Sequence, residues 1–320
     1  EIQKKIIHSI EYKQHFHPSW KYYRVEEFLK KGLIDESILE ELSSSRMLFL
    51  INVVSWHNKN QITNECQLLI NKRAWFKIYK EYASNFNIEL IESTRMSKIE
   101  PQKSIKQFIK KSPYLYTLFR NLKNKKYNSK IKTTQSKLPK LYLEGRGDIN
   151  LVNNGHHSDF FWQMNSDFDA SNLLYKAQTD EESLLLRKSN ICVSDGTFKS
   201  VKRNCKTHYC CTSSDFTEER KLIQKQLSNY NSIINDWYSF FKQYNVKVWL
   251  TWYKYDNSHM AIADAIYDCG GISAIWQMAF DGFPLLGSKI NADILFSHSE
   301  FSQEIDKKLG SKYTNNIITG

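Results

Sequence analysis

The sequence predicts an α/β protein: a Rossmann-like parallel sheet flanked by helices over residues 138–320, preceded by a mainly helical N-terminal region. Three observations lead there. Short apolar runs alternate with helical patterns through the second half of the chain. Those runs are apolar nearly throughout instead of at every second residue, which is how strands covered on both faces read. The stretch Asn121-Leu-Lys-Asn-Lys-Lys-Tyr-Asn-Ser-Lys-Ile-Lys-Thr-Thr-Gln-Ser-Lys137 is polar and basic, a linker or long-loop composition. The expected organisation is therefore a helical region over 1–122, a basic linker or loop over 123–137 and the α/β domain over 138–320.

Ahead of the break, residues 25–31, 38–42, 73–86 and 105–122 carry apolar side chains at three- and four-residue spacing and predict helices. Residues 47–54 and 88–91 read as strands, 47–56 also as a buried helical turn. Past the break, strands are expected at 138–143, 173–176, 191–194, 246–253, 272–278, 292–297 and from 316. Helices are expected at 159–164, 180–188, 216–244, 260–269 and 300–309. Acidic residues open the helix at 180, Ser258 can cap the next but one, and Gly270-Gly271 and Gly310 mark C-terminal ends. A parallel sheet gathers the C-terminal ends of its strands on one edge, where ligands of open α/β sheets bind.

A 320-residue chain with 41% hydrophobic residues can bury a sizeable core, which excludes wholesale disorder. The formal charge of +11 suits nucleic acid, anionic lipid or a phosphorylated small molecule, although Lys spread along the chain gives a basic balance without any patch. No stretch reaches the ~18 to 20 apolar residues of a spanning helix. Nothing at the N-terminus reads as a signal peptide, so the six Cys are expected as free thiols in a reducing cytosol. Cys205, His208, Cys210 and Cys211 lack the spacing of paired zinc knuckles, and His15-x-His17 stands alone, so no metal is expected.

Chemistry-bearing residues collect after the expected strands. The first is followed by Glu144-Gly-Arg-Gly-Asp148 and then by His156-His157-Ser158-Asp159, which supply Arg146, Asp148, His157 and Asp159. The two glycines allow a ligand close approach to the backbone, but no third Gly completes a dinucleotide fingerprint. The 246–253 strand runs into Tyr253-Lys254-Tyr255-Asp256-Asn257-Ser258-His259 at the mouth of a helix. There Lys254 can meet a phosphate, Asp256 or His259 can take a hydroxyl proton, and Tyr253 and Tyr255 can face a sugar ring. The plainer roles are a cap for Asp256 or Ser258 and a surface position for His259. Gln277, His298 and Glu300 follow the later strands at the same edge, with Ser297 or Ser299 as helix caps.

Five segments then acquire a joint meaning: Trp249-Leu-Thr-Trp-Tyr-Lys-Tyr-Asp256, His259-Met-Ala-Ile-Ala-Asp-Ala265, Gly270-Gly-Ile-Ser-Ala-Ile-Trp-Gln277, Ala292-Asp-Ile-Leu-Phe-Ser297 and Ile317-Ile-Thr-Gly320. Together they resemble the N-terminal half of GT-B-type glycosyltransferases of bacterial surface-polysaccharide biosynthesis, most closely over 246–320. Gln277-Met278-Ala279 stands where that family carries Gln-His-Gly, so the usual His and Gly are missing. The resemblance implies a transferase with no bound cofactor that uses a nucleotide sugar as co-substrate and a saccharide or lipid-linked saccharide as acceptor. It implies that this chain forms the acceptor-side half of the cleft, truncated before a second, nucleotide-sugar-binding domain. It assigns catalysis to Asp256, His259, Asp148, His157 and Asp159, and substrate binding to Arg146, Lys254, Tyr253, Tyr255, Gln277, His298 and Glu300. It implies a cytoplasmic location, peripheral on the anionic inner face of the membrane, with no nucleic-acid partner. Two other readings stay open: a basic nucleic-acid-binding protein, and a non-catalytic sugar- or nucleotide-binding module.

Overall fold

The computed structural model describes residues 5, 23–32, 44–60, 67–71, 73–93, 138–144, 169–177, 179–194, 196, 198–203, 217–278 and 286–319. The chain forms two compact units, one of Glu1–Arg120 with Thr207–Tyr230 and the other of Asn121–Lys206 with Asn231–Gly320. Among the described residues no helix is long and apolar enough to cross a membrane. The expected helices at 38–42, 105–122 and 159–164 and the basic stretch at 123–137 lie outside the described residues.

In the first unit, helices α1 (Tyr23–Gly32), α2 (Ser44–Asn60) and α3 (Phe76–Ser84) accompany strands β1 (Leu68–Asn71) and β2 (Leu90–Ser93). The strands pair in parallel, Leu68 opposite Leu90, with α3 between them in sequence, a small βαβ unit. Apolar residues Val25, Phe28 and Leu29 of α1, Met47 and Ile51 of α2, and Tyr79 and Ala83 of α3 are buried. The first turns of α5 (Glu218–Tyr244) belong to this unit, and there Tyr230 meets Phe28 edge-on at 5.1 Å. Trp75 precedes α3 in the left-handed region (φ 56°), and its amide donates to Glu219 at 2.7 Å.

One expectation fails in this unit. Residues 47–54 form no strand but the middle of α2. Met47, Ile51 and Ser55 are buried while Phe49, Val53 and Trp56 are exposed, a helical alternation. Because both helix faces are apolar, the run reads in sequence as a continuous buried strand.

The second unit is a seven-stranded, all-parallel sheet in the order β5-β4-β3-β6-β7-β8-β9. Its strands are β3 (Lys140–Glu144), β4 (Leu173–Lys176), β5 (Cys192–Ser194), β6 (Val246–Thr251), β7 (Ile272–Trp276), β8 (Ile294–Ser297) and β9 (Asn315–Ile318). From β3 the chain steps outward to β4 and β5, returns along α5 to β6 beside β3, and steps outward the other way to β9. Helices α4 (Asp180–Lys188), α6 (Ser258–Asp268) and α7 (Glu300–Leu309) connect β4 to β5, β6 to β7 and β8 to β9. This is an α/β sheet flanked by helices, with an order compatible with a Rossmann-like fold.

Both faces of the sheet are covered, which explains the continuous apolar strands. Tyr142 and Trp249 meet the aromatic side of α5, with Tyr142 5.0 Å from Phe240 and Trp249 6.4 Å from Trp237. Leu143, Leu250, Ala274 and Tyr175 pack on the other face with Leu186 of α4. Burial pushes the Tyr175 hydroxyl up to about 12. Segment 198–203 runs along α5, where the Val201 amide donates to Ser239 at 3.0 Å and Arg203 pairs with Asp268 at 2.6 Å.

Local chemistry sets the helix limits. Thr179 caps α4 by accepting from the Glu182 amide, and Ser299 caps α7 by accepting from the Ser302 amide. Helix α7 ends on left-handed Gly310 (φ 72°), and α6 is followed by left-handed Gly270 (φ 68°).

Candidate functional site at the sheet's switch point

The strand order reverses direction between β3 and β6, and the crevice beyond their C-terminal ends is where open α/β sheets bind ligands. The parallel register sets Glu144, the last residue of β3, opposite Thr251, the last of β6. Glu144 accepts a hydrogen bond from the Trp249 indole N–H at 3.1 Å, tying the two strand ends together. Burial, then Glu144 and Tyr175, raise the Tyr142 hydroxyl well above its ordinary value. Arg146, Asp148, His157 and Asp159 follow β3 in sequence and lie outside the described residues.

The β6–α6 loop and the first turn of α6 carry five of the expected residues. Thr251 Oγ1 accepts from the Tyr253 amide at 3.1 Å and turns the chain out of the strand. Trp252, Tyr253 and Tyr255 follow as an edge-to-face series, with ring centroids 5.7 and 5.9 Å apart. Asp256 Oδ1 accepts from the Ser258 amide at 2.9 Å and also from its hydroxyl, an Asx turn that leads into α6. Asn257, at the N-cap itself, makes no side-chain cap bond.

The His259 ring folds back, its Nδ1 lying 2.9 Å from the Asp256 carbonyl oxygen. A carbonyl only accepts, so Nδ1 carries the proton and Nε2 is the basic nitrogen of the neutral ring. His259 is 1% exposed and Lys254 3%, whereas Tyr255 is 40% exposed. The surface position considered for His259 is thus replaced by a buried one. The helix N-terminus and Lys254 are the positive groups of this segment, and Asp256 and His259 its proton acceptors.

Gln277 and His298 meet farther along the edge, where the Gln277 side-chain oxygen accepts from the His298 amide at 3.1 Å. The Gln277 backbone N–H donates to Phe296 O at 2.8 Å, so main chain and side chain of this residue both lace β7 to β8. Ser297 donates to Asn316 at 3.0 Å and extends the lacing to β9. Glu300 opens α7 and is exposed. The structure thus places Tyr253, Lys254, Tyr255 and Asp256 on the β6–α6 loop with His259 in the first turn of α6, and joins Gln277 after β7 to the residue-298 backbone after β8.

Sequence reasoning missed the reversal point itself and the Glu144–Trp249 tie. A signal for the first was present, because Gly145 and Gly147 follow the first strand of the sheet, and a doubly wound order places its first strand at the reversal. Among the described residues no group of three or more His, Cys, Asp or Glu is placed to hold a metal ion. The described free thiols are Cys192 and Cys269. No protein-family model matches the chain, and no curated protein or solved structure matches it either.

Proposed function

We propose that the sheet unit is the acceptor-side half of a nucleotide-sugar-dependent glycosyltransferase of surface-polysaccharide assembly, with GT-B architecture and a lipid-linked or free saccharide as acceptor. The supporting observation is the His259–Asp256 pairing at the C-terminal end of β6, beside the reversal of strand order. It fixes the imidazole tautomer so that Nε2 is the base. In the reaction, Nε2 takes the proton of an acceptor hydroxyl as the hydroxyl oxygen forms its bond to the anomeric carbon. The bond from that carbon to the nucleoside phosphate breaks, and the phosphate leaves with the electron pair. Lys254 and the α6 N-terminus stand as the positive groups for charged portions of the acceptor, and the Tyr253–Tyr255 rings as apolar faces for a sugar. The +11 charge suits a cytoplasmic protein in peripheral contact with anionic lipid, where lipid-linked acceptors reside.

The test is transfer from a labelled nucleotide sugar to a lipid-linked saccharide by the complete protein that carries this chain. His259→Asn keeps a donor for the Asp256 carbonyl and removes the basic nitrogen. Transfer that survives it unchanged sinks the assignment. The burial of His259 to 1% exposure favours a second reading, a saccharide-binding module without turnover in which His259 only fixes the start of α6. Saccharide binding by calorimetry together with no transfer from any nucleotide sugar selects that reading.

A further inference from the structure

We propose that the outward face of α2 is a docking surface for an anionic lipid bilayer. Helix α2 (Ser44–Asn60) buries Met47, Ile51 and Ser55. Its opposite side exposes Phe49 (65%), Val53 (43%) and Trp56 (68%), with Leu50 beside them. Positions 49, 53 and 56 stand four and three residues apart, so these side chains form one line along the helix. The Asn60 side chain donates to the Trp56 carbonyl at 2.7 Å, which closes the last turn and holds Trp56 on formed helix. An exposed apolar line of this kind marks an interaction surface.

Charge selects the occupant. The helix sequence holds Arg46, His57 and Lys59 and contains no Asp or Glu. A second copy of the same face would set two cationic, acid-free helices against each other. Anionic headgroups complement the basic residues, while Trp and Phe rings insert at headgroup depth. The surface gives a place to the membrane contact in the function proposed above. It is tested without donor or acceptor, so its failure and that of the transferase reading are distinguishable.

Co-sedimentation of the whole chain with vesicles of equal parts phosphatidylglycerol and phosphatidylcholine, against phosphatidylcholine alone, is the measurement. Binding to the anionic vesicles is expected at least about tenfold tighter, and added salt should release it. Replacing both Phe49→Ser and Trp56→Ser should weaken binding on the order of a hundredfold, and Lys59→Glu about fivefold. These side chains are exposed, so unchanged thermal melting verifies the fold of each variant, and the salt response is read on the unaltered protein. Equal, salt-insensitive binding to both vesicles overturns the proposal. So does full binding by the folded double variant, or a concentration-dependent dimer that the double variant dissolves.

Discussion

Two strand–helix–strand units of the same sheet, β6–α6–β7 and β8–α7–β9, solve the same turn with different chemistry. In the outer unit Ser299 caps α7 by accepting from the Ser302 amide, from an extended backbone. The cap is ordinary, and Glu300 beside it is exposed. In the inner unit the N-cap Asn257 makes no such bond, and Asp256 and His259 instead hold the loop through Ser258 and through the Asp256 carbonyl. Side chains that could have been replaced by one serine are committed to fixing an imidazole at the reversal of strand order. The difference sets the loop to test for chemistry apart from the loop that only turns the chain. The largest expected effect follows: His259→Asn should lower transfer by roughly 10²- to 10⁴-fold, the usual span for losing a general base. Ser299→Ala should leave transfer within about twofold, because its hydroxyl serves a helix end. Equal losses in the two variants would dissolve the distinction between the loops.

The helix exits share a left-handed glycine, Gly270 after α6 and Gly310 after α7, each with a lysine ammonium 3.7 Å from an added Cβ, and differ one residue further on. Helix α7 ends on Gly310, where an added Cβ would come no nearer than 3.7 Å to a described neighbour, the flexible Lys289 ammonium. In the inner unit, Gly271 enters β7 so close to β6 that a Cβ would lie 2.6 Å from the Lys247 carbonyl oxygen and 2.9 Å from Ile266. That oxygen is backbone, so relief requires the chain itself to shift. Gly271→Ala should therefore destabilise the protein by about 1 to 3 kcal/mol in urea unfolding. Ser299→Ala should cost about 1 kcal/mol, the usual value of a lost cap. A smaller loss for Gly271→Ala than for Ser299→Ala would show that the inner unit is not the more tightly packed of the two.

The same contrast explains what could be read from the sequence. The strands of the second unit were legible because both faces are covered, by Trp237 and Phe240 on one side and Leu186 on the other, so most of their runs are apolar nearly throughout. Helix ends at Ser299 and Gly310 were legible because caps are local chemistry, and the acidic first turn marked the start of α4. Strand order is a non-local property, and only the glycines after the first strand, Gly145 and Gly147, hint that β6 returns to lie beside β3. Helix α2 was misread because its exposed side is as apolar as its buried one, which erases the period that separates helix from strand. On the candidate loop the residue types were visible, but their roles depended on backbone geometry. The Asp256 carbonyl, not its carboxylate, meets His259, and no sequence rule separates these two.

The inner unit should also leave a mark on alkaline stability through Cys269, at the end of α6. Burial is the main cause that pushes its thiol from 9.0 up to about 11, with Lys242 and Lys247 opposing it. A buried thiol favours its neutral form, so the folded protein keeps the proton to higher pH than the unfolded chain does. Between about pH 9 and 11 the unfolded state binds fewer protons than the folded one, and stability falls as pH rises. The contribution is complete below 9 and disappears through 11. Cys269→Ala removes the titrating group, so its urea midpoint should fall less steeply across that window than that of the unaltered protein. Parallel slopes would mean that water reaches the thiol in the folded state and that the α6 end is looser than its packing against the Tyr238 carbonyl implies.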